Sequence, residues 1–180
     1  MVYLCIKRII LPVSFLLISG GAARSLFAGQ EIVNYNDQRD WPSAKAIFQK
    51  NRGCYFPHDI QKPFKKAHGY LQDPQFQTKV IRVDGVSVGF INYICCNVPD
   101  TGLMGFIHLL GIDAAYRRKR YGQALLAYAI NDLRKQAVLY IQLFAKKNNP
   151  IASAFYKKMG FSESFFSSDE MLYHLDCVKV

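Results

Sequence analysis

The sequence has little of what metal sites and covalent catalysts require. Its 180 residues include four histidines and five cysteines, with no CxxC pair and no clustered histidines, so we expect no bound metal. The adjacent Cys95 and Cys96 lie in an apolar stretch that predicts a strand, where neighbouring side chains point to opposite faces. We therefore expect free, partly buried thiols. No motif that would activate a nucleophile is present, so a covalent enzyme intermediate is not expected.

Acidic residues are also scarce. Thirteen Asp and Glu residues stand against 23 Lys and Arg residues, which gives a formal net charge of +10. Such a charge favours anionic partners: nucleotides, nucleic acids or membrane surfaces. Nucleic-acid binding is the weaker alternative, because the basic residues are not interleaved with aromatic residues and match no nucleic-acid-binding motif. No nucleic-acid partner is therefore expected.

The sequence lacks an apolar run of roughly 20 residues, the length that spans a membrane. Near the start, two cations precede a shorter apolar stretch, Ile9 to Ile18, and small residues follow it. This order is typical of a secretory signal peptide. We expect residues 1–28 to be a signal peptide or an N-terminal hydrophobic anchor, with a mis-assigned start codon as the alternative. Residues 29–180 are expected to form a single domain. The protein is then exported, with no stable membrane span after processing, or cytoplasmic if the segment is not a working signal.

Hydrophobic periodicity and turn signals predict a mixed α/β domain. The predicted order is strand, helix, helix, three strands, helix, strand, helix and two strands. The predicted strands cover residues 31–35, 77–83, 86–95, 103–112, 138–144, 161–166 and 171–178. The predicted helices begin near residues 41, 60, 120 and 151 and end near residues 48, 68, 136 and 159.

A cationic turn is the most informative stretch. The apolar run from Phe106 to Ile112 leads to four consecutive cations at positions 117–120, and Gly122 and Ala124 then open a helix. Backbone N–H groups at a helix start are unpaired and carry the positive end of the helix dipole. The sequence therefore predicts a ligand that carries a phosphate or pyrophosphate.

Two motifs, in order and at the expected separation, resemble the paired acyl-CoA motifs of the GNAT acetyltransferase superfamily. The first runs from Leu110 to Ala124 and the second from Asn149 to Phe161. The order of the predicted elements also matches that family from about residue 31 onward. The resemblance implies an α/β (α+β) fold with a mixed, mostly antiparallel central sheet of about six or seven strands and about four flanking helices.

The resemblance also implies an activity. A member of this family transfers an acetyl group from acetyl-CoA, or another acyl-CoA, to a primary amine by direct attack in a ternary complex. The implied partners are the acyl donor and an amine acceptor, which is a small molecule or a protein or peptide amine, and the expected state is a monomer or homodimer. The alternative is a GNAT-fold module that binds acyl-CoA and has lost most or all turnover. The irregular, aromatic segment 51–74 is expected to shape the acceptor pocket or, alternatively, to be a surface excursion.

The resemblance assigns the CoA pyrophosphate to the cationic turn and the helix start. Lys119, Gly122 and Ala124 occupy the family's motif positions, although Lys119 replaces Gln or Arg and Arg120 replaces a frequent glycine. Arg117 and Arg118 are candidates for the 3′-phosphate. The implied cofactor-binding residues of this stretch are Arg117, Arg118, Lys119, Arg120, Tyr121, Gly122, Gln123 and Ala124.

Three further positions are implied to contact the CoA arm. The backbone N–H groups of Leu110 and Ile112 are expected to bind the pantetheine and polarise the thioester carbonyl, beside a strand bulge at Gly111. Asn149 matches the family asparagine that contacts this arm. It precedes Tyr156 by seven residues, which would place both on one helix face.

Two side chains are candidate catalysts. Tyr156 matches the tyrosine that protonates the departing CoA thiolate in the family, and the competing interpretation is an aromatic residue of the core. His108, on the strand before the turn, is the candidate base that deprotonates the amine, with a structural histidine as its alternative. Water, Glu170, His58 or His68 could serve as the base instead.

Overall fold

In the computed structural model, the described residues are 29–51 and 63–177. The predicted N-terminal segment, 1–28, lies outside them. The strands are β1 (Gln30–Asn34), β2 (Gln77–Val83), β3 (Val86–Val98), β4 (Gly102–Ile112), β5 (Tyr140–Lys146), β6 (Ser162–Phe165) and β7 (Glu170–Asp176). The helices are α1 (Asp37–Lys50), α2 (Pro63–Gln72), α3 (Tyr121–Lys135) and α4 (Pro150–Lys158), with a 3-10 turn at Ala114–Tyr116. None of the helices within the described ranges is long and apolar enough to cross a membrane.

The seven strands form one sheet in the order β1-β2-β3-β4-β5-β7-β6. Neighbouring strands are antiparallel except β4 and β5, which are parallel. The predicted mixed, mostly antiparallel sheet is therefore confirmed. The Asp84-Gly85 hairpin joins β2 and β3 with positive φ angles of 51° and 80°, as the sequence predicts for this dipeptide.

The core lies on both faces of the sheet. On one face, the apolar side of α3 packs with Ile107, Ile141 and Tyr173 into the larger cluster, against which Phe155 and Tyr156 of α4 also pack. On the other face, α1 and α2 cover a smaller cluster that includes Leu109. We call these the α3 face and the α1 face of the sheet.

One predicted helix start and one predicted helix end are wrong. Helix α1 begins at Asp37 rather than near residue 41, because the Asn36 side chain accepts a hydrogen bond from the Arg39 N–H while Asp40 accepts one from the Asn36 N–H. This reciprocal capping outweighs the signal of Pro42, which lies inside the helix. Helix α2 is described from Pro63 to Gln72, so it extends past the predicted end at residue 68.

The predicted bulge in β4 is also misplaced. Gly111 pairs regularly with Phe90 of β3, whereas the register shifts between Asn92, opposite Leu109, and Tyr93, opposite Ile107. The extra residue of β4 is therefore His108. A bulge puts two consecutive side chains on one face, so His108 and Leu109 both lie on the α1 face. The glycine signal failed because the neighbouring strand, rather than local flexibility, sets the register.

Strands β4 and β5 separate just beyond this bulge. They pair only from Met104 to Ile107, opposite Tyr140 to Leu143. Past those residues β4 follows β3 as far as Ile112, while β5 follows β7 as far as Lys146. A bulge bends its strand, which accounts for the separation. The result is an opening through the sheet, the β4/β5 opening, whose apex lies at Ile107 and Leu143.

Candidate active site

Backbone groups of β4 point into the β4/β5 opening. The Asp113 N–H donates to the Val88 carbonyl of β3 at 2.9 Å, and successive N–H groups along a strand alternate in direction. The N–H groups of Ile112 and Leu110 therefore point away from β3, toward the opening. This is the orientation that the sequence resemblance implied for both residues, although the glycine between them is not the bulge.

The start of α3 lies at the wide end of the opening. The first helical hydrogen bond runs from the Ala124 N–H to the Arg120 carbonyl at 3.0 Å, so the preceding N–H groups point out of the helix end. A Cβ atom added at Gly122 would lie 3.5 Å from Ile112 Cγ1 and 3.8 Å from Phe155 Cζ, which are ordinary contacts. Packing within the protein therefore does not require a glycine at this position.

The four cations of the turn have different surroundings. Arg117 donates from Nη2 to Asn51 Oδ1 at 2.6 Å and from Nε to the Ile112 carbonyl at 3.3 Å. It therefore ties the end of α1 to the end of β4, instead of standing free for a phosphate. Lys119 places Nζ 5.1 Å from the centre of the Tyr116 ring. The turn is further held by a salt bridge of 3.3 Å between Lys50 and Asp113.

Arg118 and Arg120 have the left-handed backbone conformation, with φ angles of 62° and 66°. This region favours glycine and costs other residues on the order of 1–3 kcal/mol. Position 120, where the resemblance leads us to expect a glycine, thus has a conformation that favours glycine but is occupied by an arginine. Its side chain is exposed, as are those of the other three cations.

The four remaining predicted cofactor residues differ in exposure and position. The Tyr121 side chain is buried in the core, so only its backbone faces the helix end, while Gln123 is exposed and Ala124 is half-buried. Asn149 is the N-cap of α4 and accepts from the Ala152 N–H at 3.1 Å. Its carbonyl accepts the first hydrogen bond of the helix that carries Tyr156, from the Ser153 N–H at 3.1 Å, and its contact with the CoA arm stays a prediction.

Tyr156 lies close to the apex of the opening on the α3 face. Its ring centre is 5.2 Å from that of Tyr173, which pairs with Leu143 at the apex. Burial raises the pKa of the Tyr156 phenol above its ordinary value, and the neighbouring Tyr173 phenol adds to this. The phenol therefore stays protonated at neutral pH, the state that a proton donor needs.

His108 lies at the same apex on the α1 face, and a buried network fixes its tautomer. The Thr78 hydroxyl donates to the Leu71 carbonyl at 3.0 Å, so its oxygen accepts from Asn92 Nδ2 at 2.9 Å. Asn92 Nδ2 also donates to the Tyr70 carbonyl at 3.0 Å. With both amide protons used, Asn92 Oδ1 faces His108 Nδ1 at 3.2 Å and can only accept. His108 therefore carries its proton on Nδ1 and its lone pair on Nε2.

The surroundings of His108 keep the ring neutral. Burial lowers the pKa of the imidazole below its ordinary value, and the positive charge of Lys66 lowers it further. At neutral pH, His108 is thus a neutral imidazole that can accept a second proton at Nε2.

The other candidate bases lie elsewhere or outside the described ranges. His68 Nε2 contacts Asp37 at 2.5 Å, and its ring stacks on Trp41 at 4.1 Å. Glu170 forms a salt bridge of 3.6 Å with Lys146. His58 lies outside the described residues. Of the candidates that the structure describes, His108 is the one at the apex.

Sequence reasoning missed the residues that support His108. Asn92 is completely buried, and its neighbours along the strand are apolar. This isolated polar residue was the signal from which the sequence could have predicted the network.

The cysteines that the structure describes agree with the expectation of free, partly buried thiols. Cys95, Cys96 and Cys177 are free and half-buried, and burial raises the pKa of Cys95 and Cys96. Within the described residues, no group of three His, Cys, Asp or Glu side chains could hold a metal ion.

The separating parallel pair, the mostly antiparallel sheet and the helix that starts beside the opening define the acetyltransferase fold class. The chain matches the model of the acetyltransferase (GNAT) family over residues 44–161, which is more than half of its length. The protein therefore belongs to the acetyltransferase (GNAT) family.

Individual relatives agree with this membership. Over 55 residues the chain is 34% identical to the ribosomal protein bS18-alanine N-acetyltransferase of Escherichia coli K12, a match that covers 31% of this chain and only 37% of that relative. The crystal structure of the ribosomal-protein-S18-alanine N-acetyltransferase from Escherichia coli superposes with a TM-score of 0.64 and 22% identity, covering 84% of this chain and 96% of that one. The PaiA N-acetyltransferase of Thermoplasma acidophilum, solved with coenzyme A, gives 0.66 and 17%, covering 82% and 98%. At these identities, the two structures show a shared fold.

Proposed function

We propose that this protein is an acyl-CoA-dependent N-acetyltransferase that acts on a primary amine by direct attack in a ternary complex. The observation that carries the proposal is the apex of the β4/β5 opening. A protonated phenol, Tyr156, lies on one face of the sheet there, and a neutral imidazole, His108, lies on the other. A thioester held in the opening would have a proton donor on its thiol side and a proton acceptor on the side where the amine arrives.

The geometry at the wide end of the opening supports the donor site that we propose. The pyrophosphate meets the backbone N–H groups at the start of α3, because these point outward and carry the positive end of the helix dipole. A ligand pressed against the backbone explains why position 122 is a glycine, since the protein itself leaves room for a Cβ there. The exposed Arg118, Lys119 and Arg120 surround the phosphates.

The acyl arm runs along β4 in this proposal. The Ile112 N–H binds the pantetheine and helps to orient the thioester, and a donor aimed at the developing oxyanion typically contributes about 3 kcal/mol. The same role for the Leu110 N–H stays a prediction, as does the contact of Asn149 with the arm. Arg117, whose donors are on Asn51 and Ile112, positions the turn.

The chemical step needs two proton transfers. His108 accepts the proton of the attacking amine at Nε2 as the new C–N bond forms, and the C–S bond of the tetrahedral intermediate then breaks. Tyr156 donates its proton to the departing CoA thiolate. Each such transfer is typically worth 10²–10⁴-fold in rate.

A module that binds acyl-CoA without turnover is the second candidate. Lys119 in place of Gln or Arg, and the arginine at the glycine-favouring position 120, favour it. Two measurements separate the candidates: thiol release from acetyl-CoA with a broad panel of amines, and calorimetric binding of CoA. Release that depends on Tyr156 supports the enzyme. Binding without release across the panel, unchanged in Tyr156→Phe, supports the module.

The predicted signal at residues 1–28 bears on where such an enzyme would work. Acetyl-CoA is an intracellular metabolite, so an exported enzyme needs a compartment that contains CoA or a different acyl donor. We propose that the protein is exported and meets one of these two conditions, or that it is cytoplasmic if residues 1–28 are not a working signal. Sequencing the N-terminus of the mature protein from its native source tests for cleavage.

A further inference from the structure

An unbroken row of aromatic rings crosses the α1 face of the sheet. Strands β4 and β5 supply its middle, α2 and the start of β2 lie at one end, and the loop between β6 and β7 lies at the other. The six rings of this aromatic row are those of Phe76, Tyr70, His108, Phe106, Phe144 and Phe166.

Each ring contacts the next. The Tyr70 ring lies edge-on to His108 at 4.2 Å between ring centres, and Phe106 is 6.1 Å from His108. Phe106 is 5.8 Å from Phe144, and Phe144 is 4.4 Å from Phe166. The row is thus one continuous apolar surface rather than scattered side chains.

The aromatic row passes over the apex of the β4/β5 opening. His108 and Phe144 are the first residues of β4 and β5 beyond the last paired residues, Ile107 and Leu143. Phe144 and Phe166 are large apolar side chains that remain 36% and 54% exposed. Phe144 thus starts the unpaired part of β5 as His108 starts that of β4, with the Phe106 ring in contact with both, and Phe166 extends the exposed surface beyond Phe144.

The charge that acts on this surface is positive. Lys66 Nζ lies 5.8 Å from the centre of the Tyr70 ring, and its charge is felt at His108. A polyamine or an amino sugar carries several positive charges that Lys66 would repel. Glu170 lies on the same face near Phe144, but its carboxylate already forms a salt bridge of 3.6 Å with Lys146. An acceptor with a single amine and an apolar group suits the surface better.

We infer that the acceptor is a primary amine whose adjacent carbon carries an aromatic or large aliphatic side chain, which packs on Phe144 and Phe166 while the amine faces His108 Nε2. This inference rests on the proposed acetyl transfer. Either a free amino-acid derivative or the N-terminus of a peptide carries this chemistry.

Rates with matched amines test the inference. We expect kcat/KM with acetyl-CoA to be at least about tenfold higher for phenylalanine amide and leucine amide than for glycine amide, since each buried methylene is worth about fourfold. Spermidine should be slower than phenylalanine amide. Comparing phenylalanine amide with the peptides Phe-Gly-Gly and Gly-Gly-Phe distinguishes a free amine from a peptide N-terminus. Equal rates for glycine and phenylalanine amides, or spermidine as the best acceptor, would overturn the inference.

Variants locate the effect. Phe144→Ala and Phe166→Ala should each lower kcat/KM for phenylalanine amide about tenfold and leave glycine amide within about twofold. Phe165→Ala is the matched control, because Phe165 is 69% exposed and its ring faces Lys147 instead of the aromatic row. A change of the same size in Phe165→Ala, or equal losses for both amides, contradicts the assignment.

Failure of the proposed reaction is distinguishable from failure of this inference. If no amine releases thiol although CoA binds, the acetyl transfer is wrong. Calorimetry with phenylalanine amide in the presence of CoA then decides the inference: binding that Phe144→Ala weakens supports an apolar amine site, and no binding overturns it.

Discussion

The two sides of the β4/β5 opening are assembled in different ways. The donor side is one contiguous stretch, residues 110–124, in which a strand end, a turn and a helix start follow one another. The acceptor side gathers single residues from distant segments, from Tyr70 on α2 to Phe166 after β6. In the proposed site, the donor side binds its ligand mainly through backbone N–H groups. The acceptor side acts through side chains and depends on the tautomer of His108. Local sequence therefore specifies which donor the site would bind, and the acceptor depends on packing.

The substitution with the largest expected effect tests whether Tyr156 is the proton donor at the apex. Tyr156→Phe should lower kcat about 10³-fold, because it removes the proton donor for the thiolate, and should leave CoA affinity within about twofold. Stopped-flow thiol release and CoA calorimetry measure the two quantities. Tyr128→Phe, on α3 with Lys79 over its ring, is the control and should keep full activity. An unchanged kcat in Tyr156→Phe would show that Tyr156 is an aromatic residue of the core and not the proton donor.

The next effect tests the base on the acceptor side. His108→Gln should lower kcat/KM about 10²-fold, because glutamine cannot accept the amine proton. In the unaltered protein, kcat/KM calculated for the unprotonated form of the amine should fall with decreasing pH as His108 becomes protonated. Since burial and Lys66 lower the pKa of His108, this fall should lie below the ordinary histidine value of about 6.5.

The pH profile also identifies the residue that is responsible. The acidic fall should disappear in His108→Gln, and it should move to higher pH in Lys66→Gln, which removes a positive charge and so raises the pKa. An identical acidic fall in the His108 variant would assign the base to water or another group.

A smaller effect tests whether the donor side works through its backbone. Gly122→Ala should weaken CoA binding about tenfold, or roughly 1.4 kcal/mol, because the new methyl occupies the space of the ligand. The melting temperature should not fall, since the added Cβ makes only ordinary contacts. Gly69→Ala in α2 adds the same methyl where no atom lies within 4 Å, and CoA affinity should not change. Equal CoA affinity in both variants would contradict the backbone contact.

The smallest effect separates turn geometry from side-chain chemistry. Arg120→Gly should raise the free energy of unfolding by about 1 kcal/mol, because glycine adopts a φ of 66° without strain. Denaturant unfolding measures this change. Lys119→Gly is the matched control: position 119 has no positive φ, so glycine there should not stabilise. Stabilisation of both variants alike would mean that the φ of Arg120 is not the cause.

The sequence correctly predicted helices and turns where one local signal had no competing signal beside it. Asp84-Gly85 gave the correct hairpin, and the periodic stripe of α3 gave its bounds to within one residue. The prediction failed where two signals competed, as at α1, where capping by Asn36 and Asp40 outweighed Pro42. The position of the bulge was also misjudged, because Asn92 and Tyr93 on the neighbouring strand set the register of β4.

The sequence by itself determined the order of the elements, the resemblance to the GNAT family and the proposed donor stretch from Leu110 to Ala124, because all of these depend on residues that are neighbours in the chain. Only the tertiary structure decided where β4 and β5 part, which nitrogen of His108 carries the proton and which rings stand at the acceptor side. Those properties arise from contacts between residues as far apart as Tyr70, Asn92 and Phe144, and no local pattern encodes them.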